Sequence, residues 1–107
     1  MPSTAISTAD ITTVGNIAYA SIGNSAVTYM TLCNYTASNV TANVYIVPSG
    51  DTLGNNNITF SSLLIQGNDT YQVYQAAEKI LLANGDSIQV QANANSSITT
   101  IVTYTNI

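Results

Sequence analysis

The chain has 107 residues, 46% of them hydrophobic, and a formal net charge of −4. This suits one domain with one core and is far from a disordered composition. Only 6% of the residues are charged, Lys79 is the single cation and there is no His, whereas an average globular domain is about a quarter charged. One lysine cannot make the basic patch that phosphate backbones require, so nucleic-acid binding is excluded. A Ser or Cys nucleophile has no histidine base, and a single Cys without His cannot hold zinc, so triad hydrolysis and the usual zinc sites are excluded too. No enzyme, cofactor or metal is expected.

The N-terminus, MPSTAISTAD, has neither a basic start nor a long apolar stretch and does not read as a signal peptide. Residues 1–15 are small and polar with scattered apolar positions, the composition of an N-terminal arm. Within it Ile6, Ile11 and Val14 are spaced to hook onto a neighbouring subunit. Residues 16–107 are expected to form the folded domain. Thr, Val, Ile and Tyr dominate there, the residues that suit a pleated, half-buried surface.

Strands are predicted near 16–22, 26–33, 40–47, 57–65, 70–75, 86–93 and 98–106, with a shorter pairing at 79–82. Gln75 to Leu82 could instead make one helical turn, since Ala, Glu, Lys and Leu are good helix formers. Ala26 to Cys33 is apolar on both faces, as in a central strand or an interface, and Cys33 reads as a small buried hydrophobe. Val40, Ala42, Val44 and Ile46 form an apolar row. Ile88, Val90 and Ala92 alternate with Ser87, Gln89 and Gln91, the period of two for a strand with one wet face. Ile98, Val102 and Tyr104 are the expected core face of the last strand. No apolar run approaches ~18 residues, so no membrane span is expected. Breaks at Gly23-Asn24-Ser25, Pro48-Ser49-Gly50, Gly67-Asn68-Asp69 and Asn84-Gly85-Asp86 separate strands at the spacing of a single antiparallel sandwich of seven or eight strands, immunoglobulin-like or jelly-roll.

Asn84-Gly85 between apolar runs is a strong signal for a type I′ hairpin turn. Asp86 then starts the next strand, where its carboxylate can accept backbone N–H bonds from the turn; a cation site would need a second carboxylate that the sequence gives no reason to bring near. Five Asn-x-Ser/Thr matches, at Asn34, Asn39, Asn57, Asn68 and Asn95, are expected by chance in a chain this rich in these residues. The seven Tyr are either core and interface fillers or a sugar-binding platform. Edges with almost no charge suggest cover by partner subunits.

TLCNYTASNVTANVYIVPSGDT, followed by IQGNDTYQVYQAAEKILLANGDSIQVQANANSSITTIVTYTNI, resembles the small β-sandwich accessory virion proteins of tailed bacteriophages. The likeness rests on the strand ending Leu32 to Asn34, on VYIVPSG from Val44 to Gly50, on the L-x-x-G-D-x-I-x-V turn from Leu82 to Val90, and on Ile98 to Tyr104. It covers roughly residues 16 to 107. The resemblance implies a structural virion protein: a homo-oligomeric capsid decoration or cement subunit, or a neck, tail or fibre component. Its partners would be copies of itself and other virion proteins. The arm and the loop from Pro48 to Asn57, with Pro48, Gly50 and Leu53, are the expected contacts. The alternative is a carbohydrate-binding module of a host-recognition appendage, with a host glycan as ligand.

Overall fold

In the computed structural model, which describes residues 4–74 and 80–106, every regular element is a β-strand. These are β1 (Thr4–Ile11), β2 (Asn16–Ala20), β3 (Ser25–Asn34), β4 (Val40–Val47), β5 (Ile58–Ile65), β6 (Thr70–Tyr74), β7 (Ile80–Leu82), β8 (Ser87–Ala92) and β9 (Ile98–Asn106). They form two sheets. The first has the order β1-β9-β3-β6, with β7 also on β3; the second has the order β2-β8-β4-β5.

All pairings are antiparallel, and they are nested: β1 with β9, β2 with β8, β3 with β6 and β7, β4 with β5. The chain is thus one long ribbon folded at the β4–β5 connection, rolled up and closed by β3·β9 and β4·β8. That is jelly-roll topology. In an immunoglobulin sandwich the first two strands share a sheet; here β1 and β2 lie in different ones.

The core lies between the sheets. Val27, Met30 and Leu32 of β3, Val44 of β4, Ile88 and Val90 of β8, and Ile98 and Val102 of β9 are wholly buried. At about 25 cal/mol per Å² of apolar surface, each such side chain contributes roughly 1.5–3 kcal/mol of burial. The sandwich, the position of β3 between β9 and β6, and the inward rows of β4 and β8 match the sequence expectation. Ile46 is the exception in its row. It is half-buried and packs on the margin of the core, while its neighbours Tyr45 and Val47 on the opposite face are buried.

Three local expectations are corrected. Residues 4–11 are not an arm held apart from the domain: they pair with β9 along their whole length, and Ile11 is 0% exposed in the core. The apolar content was too sparse to suggest a strand, but an edge strand needs only one inward row. Asn84-Gly85 does not close a hairpin, because β7 and β8 belong to different sheets. Gly85 alone has positive φ, at 89°, and the Asp86 N–H donates to the Ala83 carbonyl, the pattern of a type II turn. Ile80–Leu82 forms the short pairing expected near 79–82 rather than part of a helical turn, and the helical alternative at 75–79 lies outside the described residues. Cys33 is half-exposed rather than buried, because Leu32 and Asn34 on either side of it point inward.

Candidate functional site

The strand register puts Thr41, Asn43, Tyr45 and Val47 of β4 on the outer face of the second sheet, with Asn43 opposite Gln91 and Tyr45 opposite Gln89 of β8. That face is divided in two. The loop from Pro48 to Asn57 leaves the end of β4 and reaches across β8, so that a methyl group at Gly15 would stand 3.1 Å from Leu53 Cδ2 and 3.9 Å from the Val90 carbonyl. Tyr45 and Val47 on this face are buried although they point away from the core.

Beside the loop the face stays open. Thr13, Thr41, Asn43, Ser62, Gln91, Ala92 and Asn93 line a hollow of about 300 Å³. Its wall is built by a bulge: β5 slips register between Ala42 and Val44, and Ser62 sits there at φ 54°. The Asn43 carboxamide oxygen accepts the Ser62 N–H at 2.7 Å. Gln91 is fixed from two sides, accepting from the Tyr45 hydroxyl at 3.1 Å and donating to the Thr13 carbonyl at 3.0 Å. A hollow of locked carboxamides and hydroxyls with no charged lining residue can hydrogen-bond a neutral polar ligand or a protein backbone. A second recess of about 230 Å³, lined by Tyr19, Ala20, Ile22, Tyr104 and Asn106, opens at one end of the sandwich. Tyr19 and Tyr104 stack there at 4.1 Å, and the Tyr19 hydroxyl is tied inward to Ser25 at 2.6 Å.

Asp86 turns the chain. Its carboxylate accepts the Ala83 N–H and the Ser49 N–H, each at 2.9 Å, and so clamps the Asn84-Gly85 turn to the Pro48 loop. Among the described residues no three of His, Cys, Asp and Glu come together. Asp10 meets the Tyr35 hydroxyl at 2.9 Å. The Tyr35 phenol is pushed up from its ordinary value by desolvation and then by Asp10, with Ser96 pulling the other way.

Of the expected contact residues, Val14 is 79% exposed and Pro48 and Gly50 are exposed. Leu53 is half-buried over Gly15, and Ile11 is in the core. Ile6 pairs with Thr103, and its side chain lies outside the described residues. The structure brings the start of β2 and the Pro48 loop together, but it removes Ile11 from any surface. Sequence reasoning missed Ile17 and Ile22, 56% and 86% exposed, which with Val14 are strung along β2 from before its start to past its end. The register slip between Ile17 and Tyr19 breaks the alternation that would have assigned them a face. The hollow was also missed, since nothing in the sequence marks the β5 bulge. Of Tyr29, Tyr35 and Tyr71, the exposed tyrosines among the described residues, the first two fall on the outer face of the first sheet, six residues apart along the chain, and Tyr71 is not on that face. Tyr29 lies on β3, Tyr35 follows it, and Tyr71 of β6 meets Phe60 edge-on at 6.2 Å. No family model, no curated protein and no solved structure matches this chain.

Proposed function

We propose that the protein is a structural subunit of a tailed-phage particle, a homo-oligomeric capsid decoration or cement subunit or a neck or tail accessory, working in the virion through contacts with itself and other virion proteins. The observation that carries this reading is the line of exposed Val14, Ile17 and Ile22 along β2 on a chain with only 6% charged residues. Large apolar side chains this open to water, on a chain so poor in charge, favour burial against a partner. The jelly roll supports the reading to the extent that capsid domains use it, but lectins use it too. Mass spectrometry and cryo-EM of purified particles test it: the chain should be present in fixed copy number with β2 against a neighbour. Its absence from every particle would overturn the proposal.

A second reading, a carbohydrate-binding module, is favoured by the Asn43–Gln91–Asn93 hollow. The scattered tyrosines count against it, because sugars are usually held on grouped aromatic faces. Glycan-array binding that is lost in Gln91→Ala, with the fold retained, would move it ahead.

A further inference from the structure

Three of the four sheet edges are spoiled for pairing with another chain, and one is not. β2 has five residues and slips register between Ile17 and Tyr19. β5 slips on both sides of Val44 and holds Ser62 in the left-handed region. On the far side of β3, β6 slips between Met30 and Thr31, and β7 has only three residues. β1 differs from all of these. It pairs with β9 over eight consecutive residues, Thr4 to Ile11, without a shift. Its sequence, TAISTADI, contains no Pro and no Lys, and its single charge lies near one end. Bulges, short strands, prolines and charges are the devices that keep natural edges from pairing, and β1 lacks them along most of its length. Its conformation is already fixed by β9 and by the buried Ile11, so a pairing partner would find the edge pre-ordered.

We propose that β1 is the pairing edge for a second copy of this chain, laid antiparallel against its own β1 so that two first sheets join into one continuous sheet. The proposal rests on the homo-oligomeric reading above and names its interface. A second copy fits because an antiparallel pair of identical strands is self-complementary about a two-fold axis. Side-chain facing and N–H direction both alternate, so residues of like parity must lie opposite each other. In the two longest such registers Asp10 falls opposite Thr4 or Ile6 of the second copy, and like charges are not opposed. Main-chain hydrogen bonds supply the attraction, as in other strand additions.

In an antiparallel strand successive residues direct their N–H groups to opposite sides. The Ala5→Pro, Ser7→Pro and Ala9→Pro variants therefore test one side of β1, and Ile6→Pro and Thr8→Pro the other. One series should lower the melting temperature by breaking the β9 ladder; the other should melt like the parent. The intact chain should sediment as a dimer, and the series with parental melting should sediment as a monomer. Amide exchange on the intact chain gives an independent reading, because in the dimer consecutive β1 amides from Ala5 to Asp10 are protected, not every second one. An intact chain that is monomeric at every concentration, a dimer that survives in the parental-melting series, or protection of every second amide only would overturn the proposal. A β1 dimer found in no particle would leave this interface standing and remove the functional reading. A particle-borne chain that is monomeric in solution would do the reverse.

Discussion

Asn34 shows how a chain with almost no charge holds its loops. It is wholly buried. Its Nδ2 donates to the Ser38 carbonyl at 2.7 Å and the Ile65 carbonyl at 3.0 Å, while its Oδ1 accepts the Thr36 N–H and hydroxyl. Asn16, Asn39, Asn57, Asn84 and Asn95 likewise accept backbone N–H groups in loops. The Asn-rich composition is therefore largely a set of turn clamps, and the glycosylation match at Asn34 is closed off by burial. Asn34→Ala should lower stability by roughly 1–3 kcal/mol, because it strands buried backbone groups; chemical denaturation measures this. Thr100 is the converse case. Its hydroxyl is the buried side-chain polar atom left without a partner among the described residues. Thr100→Val keeps the shape and removes the unpaired group, so it should raise stability by up to about 1 kcal/mol, read as a higher melting temperature.

Among the elements, the turn from β7 to β8 and the strand β8 carry the sharpest tests. Gly85 has φ 89°, and a methyl group there would collide with the Ser49 side chain. Gly85→Ala should cost roughly 1–3 kcal/mol of stability through strain and displacement of the Pro48 loop, whereas Gly50→Ala, equally left-handed but in open space, should cost less. Comparing the two unfolding midpoints separates collision from backbone strain. Val90 is wholly buried between Val44 and Asn16 across the ladders. Val90→Asp should unfold the domain, since an unpaired buried carboxylate costs several kcal/mol against a total of ~5–15. A soluble Val90→Asp variant with a cooperative melt would contradict the register.

At the scale of the molecule, an elongated body of 42 × 26 × 21 Å presents β1 and β2 as edges of different sheets. Deleting residues 2–14 would remove β1 and the buried Ile11, so it would test folding before it tested assembly. Serine at Val14, Ile17 and Ile22 together is the cleaner change. These side chains are exposed, and each substitution should alter stability by no more than about 0.5 kcal/mol. Incorporation into particles should fall sharply while the melting curve stays put. Normal copy number of the triple variant would count against the β2 surface.

The alternating rows of β4 and β8 and the punctuation by Gly, Asn and Pro were enough to read a two-sheet all-β fold, because period-two burial is written locally into Val44, Ile88 and Val90. The bond from the Ala83 N–H to Asp86 was equally legible, since it lies within one four-residue turn; the bond from Ser49 was not. Which strands pair was not legible. The nesting of β1 with β9 joins residues almost a whole chain apart, and Thr4 to Ile11 looks like a polar arm until β9 lies beside it. Bulges at Ile17 and Ser62 shift the facing of side chains without a sequence mark of their own, so the exposed line along β2 and the polar hollow exist only once the ladders are formed. Composition limited the chemistry this chain can do; the long-range pairing, which no local pattern encodes, decided which edges and faces it offers to a partner.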